Sequence, residues 1–173
     1  MANVLNVSTY KWMLIFFNIP IIAYMFILIK TKWNELPDQI PSHFNCKGEI
    51  DGKSKKGMLY LLPCVSIFIT IIIISINFTP EKYVRVNTVK VKNEELSKEA
   101  KRKIFSVSNF LTAIILLITN IFINYTLVCS INIKNINVYA LILYLISIGF
   151  IIGILFFVIK YYAKQTKPSD KKE

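Results

Sequence analysis

Four long apolar runs, separated by polar and charged stretches, organise the chain of 173 residues. Residues 12–29 hold 18 positions without a charge, 57–80 hold 24, 104–133 hold 30 and 135–159 hold 25. A helix needs about 20 mainly apolar residues to cross the hydrocarbon of a bilayer. If these runs were instead core elements of a soluble protein, so short a chain would keep too few amphipathic elements to cover them. The pattern therefore predicts an all-α membrane protein, a polytopic bundle of four transmembrane helices with a structured first extracytoplasmic loop. The first run follows one lysine, Lys11, and the bulky Lys30-Thr31-Lys32-Trp33 after it offers no small-residue cleavage site. It reads as an uncleaved signal-anchor.

Polar residues within the runs fall on helical faces. Ser66, Thr70 and Asn77 share one face of the second span. Asn109, Thr112, Asn120 and Asn124 share one face of the third. In lipid such residues turn toward other helices and hydrogen-bond there, so Asn109, Asn120 and Asn124 are expected to glue the bundle. The sharper alternative is a polar pathway for a solute, against which stands the lack of any mid-span charge. Pro20 should kink the first span and free the carbonyl of residue 16, with Asn18 beside it. Pro63 lies early in the second span, where it is cheap. Gly149 and Gly153 in "GFIIG" form a small-xxx-small match that permits close helix approach, within the bundle or in a homodimer.

The organisation that follows is a two-helix domain at 1–79 with a Pro-rich outer loop at 31–56. A basic cytoplasmic loop and helix at 80–103, a C-terminal helical pair at 104–160 and a disordered cytoplasmic tail at 161–173 complete it. In the second loop, Val84, Val86, Val89 and Val91 alternate around Asn87-Thr88 as in a short hairpin. Asn93 could then cap a helix through "EELSKEAKRK" that runs into the third span.

Composition and charge sharpen this picture. Hydrophobic residues make up 54% of the chain and mean hydropathy is +0.51, well above a typical soluble domain. The formal net charge of +11 would suggest nucleic acid in a soluble protein. Here it sets orientation. Fourteen of the 21 basic residues lie in the N-terminus, second loop and tail, against seven in the first and third loops. The positive-inside rule puts both termini in the cytoplasm. Lys101-Arg102-Lys103 would meet anionic head groups of the bilayer, with no role for nucleic acid. Of three cysteines, Cys64 is an apolar filler in the second span. Cys46 and Cys129 fall on the outer side, where a disulfide between them is an open alternative. Their spacing gives no metal signature.

The stretch "WNELPDQIPSHFNCKGEIDGKSKKG" carries the chemistry. Pro37 and Pro41 push Leu36 and Ile40 toward extended backbone. Gly48 and Asp51-Gly52 mark two expected turns. Trp33 suits the head-group zone. Leu36, Ile40 and Phe44 recur every four residues and could lay the loop on the ends of the spans. His43, Asp51, Asp38, Glu35 and Glu49 are the residue types of metal or acid–base sites. A single histidine without metal-ligand spacing, and no Ser–His–Asp arrangement, give no metal, cofactor or catalytic assignment and no enzyme. The plainer expectation is that His43 is structural, bonded to Asn45 or Asp51.

The motif W-x-x-LP-x-x-IP-x-HFN-x-x-G-x-x-D, here Trp33, Leu36-Pro37, Ile40-Pro41, His43-Phe44-Asn45, Gly48 and Asp51, resembles a small membrane domain of unknown function. That domain also forms the N-terminal part of SdpI-type immunity proteins of Firmicutes. Lys55 or Lys56 and Leu61 to Pro63 fit the same pattern, and the likeness covers about 50 residues from Leu14 to Pro63. The later spans lack the arginine-containing signature of the SdpI C-terminal region. The resemblance implies a multi-pass protein in the cell membrane of a Gram-positive cell, serving immunity, recognition or signalling toward a membrane-active toxin peptide or another membrane protein. The loop residues of the motif, with Asp38, would be its binding surface, the Leu36/Ile40/Phe44 ridge included. A small transporter or permease component is the alternative, and a membrane enzyme using His43 the more distant one.

Overall fold

The computed structural model describes residues 10–78 and 97–165. Its helices are α1 (Asn18–Lys32), α2 (Leu61–Phe78), α3 (Lys98–Ile131) and α4 (Val138–Gln165). Four apolar spans result: Tyr10–Lys32, Lys56–Phe78, Lys98–Ile131 and Val138–Tyr162. The protein is a multi-pass four-helix membrane protein. Hydrocarbon offers the backbone no hydrogen bonds, so even the Ile-rich run of α2 is helical rather than extended.

Proline sets the break in the first span. Helical residues 10–16 and α1 are separated by a turn at Phe17. Pro20 has no N–H for the carbonyl of residue 16. Asn18 bridges the break, its Nδ2 donating to the carbonyls of Leu14 at 2.8 Å and Ile15 at 3.3 Å. Pro63 lies in the first turn of α2, where no bond is lost.

α3 is the central helix: it contacts α1, α2 and α4, and α4 packs chiefly on α3. At about 1.5 Å per residue its 34 residues span about 50 Å, longer than the hydrocarbon. Its first turns pack Ala100 and Ile104 against Ile159 and Tyr162 of α4. The described helix begins at Lys98. Ser97 is extended and caps it, accepting from the N–H of Ala100 at 3.1 Å. A serine directly before the helical run satisfies one of its orphan N–H groups, and Asn93 itself lies outside the described residues. The Val84–Val91 hairpin lies outside the described residues. The tail also differs from expectation, because α4 continues to Gln165. Tyr162 is held by its packing on α3, so 161–165 stay helical.

Besides the Ala100–Ile104 contact with α4, two larger apolar clusters lie among the described residues. One joins Ile15, Ala113 and Leu116 with Ile69 and Ile73. The other joins Met25, Ile29 and Leu127 with Leu36, Ile40 and Leu59. A buried polar layer of Asn18, Ser66, Thr70 and Asn120 lies between them.

The first loop is a β-hairpin, β1 (Gln39–Phe44) antiparallel to β2 (Ile50–Lys55). A 3₁₀ turn at Lys56–Tyr60 leads from it into α2. Ile40, before Pro41, is extended within β1 as expected, but Leu36 and Asp38 lie in bends, so the extended strip begins only at Gln39. Asp51-Gly52 is not a turn, however: it lies within β2, opposite His43 at an irregular register. Asp-Gly reads as a turn locally, but pairing with β1 overrides it.

Candidate functional site

The hairpin has one face for the bundle and one for solvent. On the bundle face, Leu36 and Ile40 are buried in the cluster with Met25, Ile29, Leu59 and Leu127. They do lay the loop on the helix ends. They are therefore unavailable as a recognition ridge, since burying them fixes the hairpin. Phe44, half-buried, lines a small cleft with Pro41, Met58, Leu61, Thr126 and Ser130. Trp33 packs against the same cluster, with Tyr60 at 5.7 Å between ring centroids and the Lys56 ammonium 5.0 Å above its ring. The N–H of Lys56 donates to the carbonyl of Asp38 and closes the base of the hairpin. The side chains of Pro37 and Asp38 are exposed.

Asn45 builds the tip. Its Oδ1 accepts from the N–H groups of Lys47 and Glu49 at 2.9 and 3.0 Å, and its Nδ2 donates to Glu49 at 2.9 Å. One amide thus satisfies two backbone N–H groups and a carboxylate, as Asn commonly does in turns. Gly48 follows with φ +78°, a left-handed conformation that favours glycine.

The tip is latched to the α3–α4 connector. The N–H of Ile136 donates to the Gly48 carbonyl at 2.8 Å, and the N–H of Ile50 donates to Asn135 Oδ1 at 3.1 Å. Tyr125 braces the connector, its hydroxyl accepting from the N–H of Asn137 at 2.9 Å. A Cβ on Gly48 would sit 2.1 Å from the Ile136 oxygen. Asn135, Ile136, Asn137 and Tyr125 were missed in the sequence. The only signal was a short Asn-rich connector of the right length to turn between antiparallel helices.

On the solvent face, His43 Nδ1 lies 2.5 Å from Asp51 Oδ1, with side chains 72% and 40% exposed. Asp51, rather than Asn45, is the partner. A carboxylate only accepts, so the neutral ring carries its hydrogen on Nδ1 and leaves Nε2 as an outward acceptor. Gly52 makes room, because a Cβ there would lie 2.9 Å from that of His43. Ser42 and Ser54 share a 2.8 Å hydrogen bond beside the pair. Among the described residues no three His, Cys, Asp or Glu side chains group as metal ligands.

The intramembrane residues divide. Asn120 Nδ2 donates to Asn18 Oδ1 at 2.8 Å and to Thr70 Oγ1 at 3.3 Å, tying α3 to α1 and α2. Asn109 and Asn124 face inward without such bonds: Asn109 Nδ2 and Asn124 Oδ1 are buried and unpartnered among the described residues. A Cβ at Gly149 or Gly153 would meet nothing within 4 Å, so among the described residues the close approach they permit is not made. Cys46 is exposed and Cys129 buried, both as free thiols.

Residues 20–67 match a protein family described as a domain of unknown function (DUF1648). The matched segment runs from Pro20 through the hairpin into α2 and leaves out α3, α4 and the latch residues Asn135 and Ile136. No curated protein and no solved structure matches the chain.

Proposed function

We propose that this is a recognition protein of the cell membrane, with the hairpin as its extracytoplasmic receptor surface for a membrane-active peptide or a neighbouring membrane protein. The observation that carries the reading is the division of labour in the hairpin. Leu36, Ile40, the Gly48 carbonyl and the Ile50 N–H hold it to the bundle, while His43 and Asp51 are exposed and make none of those contacts. Side chains that a fold does not use, fixed on a rigid support, suit binding. The excess of basic residues in the segments on the opposite side supports an external hairpin and cytoplasmic termini. The loop motif's resemblance to SdpI-type immunity proteins supports immunity or signalling as the purpose. The open face at Gly149 and Gly153 leaves room for a second copy. The reading assigns no catalytic step.

The test is genetic. Deleting the gene sensitises cells to a membrane-active peptide, and His43→Ala or Asp51→Ala reproduces the deletion while the protein accumulates normally. Killing curves unchanged across a peptide panel overturn the reading. A second reading, a small transport component, is favoured by the unpartnered amide atoms inside the bundle. It requires solute uptake into proteoliposomes that Asn109, Asn120 and Asn124 variants abolish.

A further inference from the structure

The polar layer leaves amide atoms over. Asn120 is fully buried, and its Nδ2 is committed to Asn18 Oδ1 and Thr70 Oγ1. Turning the amide would set its oxygen against the Asn18 oxygen, so the network fixes its orientation. Asn120 Oδ1 then has no donor among the described residues, nor has Asn124 Oδ1 one turn further along α3. Asn77 Oδ1 and Asn109 Nδ2 are in the same state nearer the other end of the bundle. An unpaired buried amide atom costs more than an interhelical hydrogen bond returns on average in a membrane. As pure glue, these asparagines would be a poor solution. Buried polar atoms without protein partners are the places where proteins hold internal water.

We infer that ordered water occupies the bundle interior at Asn120 and Asn124. Both free atoms are acceptors, so the ligand must donate. Residues four apart on a helix have Cβ atoms about 5–6 Å apart, a separation that one water with two O–H donors bridges. A metal cation fits worse. The apolar run of α3 has no carboxylate to neutralise it, and two amide oxygens are fewer ligands than a hard cation takes. Asn18 supplies a dry comparison in the same layer. Its Oδ1 receives Asn120 Nδ2, and its own Nδ2 donates to the carbonyls of Leu14 and Ile15. The inference does not depend on what the hairpin recognises.

The test is water-edited solid-state NMR on the full chain, ¹⁵N-labelled at asparagine, in liposomes. The side-chain amide signals of Asn120 and Asn124 should gain magnetisation from water several-fold faster than that of Asn18. Equally slow build-up at all three overturns the inference. Exchange of sodium for potassium should leave the signals in place, and a sodium-dependent shift would mean a cation instead. Asn124→Leu gives a second measure. If the site were dry, removing an orphan acceptor would raise the melting temperature. If it holds water, no rise follows.

Discussion

The Ile136 N–H and the Gly48 carbonyl are 2.8 Å apart, and through that bond the connector between the last two helices holds the tip of a hairpin inserted between the first two. The matched family segment thus finishes on residues outside itself. Gly48→Ala should break this latch, through its positive φ and the 2.1 Å clash with the Ile136 oxygen. Left-handed backbone alone costs a non-glycine residue about 1–2 kcal/mol. Amide hydrogen exchange over 45–52 and 133–137 should accelerate together. Gly57→Ala, which meets nothing within 4 Å, is the control and should leave exchange unchanged.

The Asn120–Asn18 contact makes a second prediction. Asn120→Leu strands Asn18 Oδ1 in the bundle interior, which should cost about 1–3 kcal/mol. Asn18→Leu with Asn120→Leu should recover part of the loss, since no amide is then left facing a hydrocarbon side chain. Unfolding in a mild detergent, read as a double-mutant cycle, gives the coupling directly. A coupling of zero would mean that the two side chains do not meet.

How far this layer was legible in the sequence depends on the scale. Ser66, Thr70 and Asn120 announced inward faces because a polar side chain has few other places to go in lipid. Which amide meets which could not be read, since Asn18 lies on another helix and its position depends on the break at Phe17. The four spans were legible from length and apolarity alone. The hairpin was not, because Pro41 and Asp51-Gly52 are poor strand residues, and tertiary pairing with irregular register overrides them. The burial of Leu36 and Ile40 followed from their spacing, but the same spacing also suggested an exposed ridge. Only the packing against Met25, Ile29 and Leu127 decides between those readings.

Fold and proposed recognition should separate under mutation. Leu36→Ala and Ile40→Ala empty positions in a packed cluster and should destabilise by about 2–5 kcal/mol. His43→Ala and Asp51→Ala remove an exposed pair, worth below about 1 kcal/mol to stability. Melting curves of the four variants check this. Large losses from the exposed pair would make His43 and Asp51 structural and remove the basis for placing recognition there.

Orientation rests on charge, and the three cysteines allow it to be measured without engineering a probe. Cys46 lies beside the hairpin tip and is exposed to water. Cys64 is exposed but lies within the second apolar span, where lipid would shield it. Cys129 is buried near the end of α3. The thiolate is the nucleophile that adds to maleimide, and it forms in water and not in hydrocarbon. A membrane-impermeant maleimide applied to intact cells should therefore label one site, and Cys46→Ser should abolish that labelling. The expected result follows from a two-to-one excess of basic residues in the segments on the other side. Labelling of Cys46 only after the cells are opened would turn the hairpin inward, and recognition of an external peptide would have to be given up.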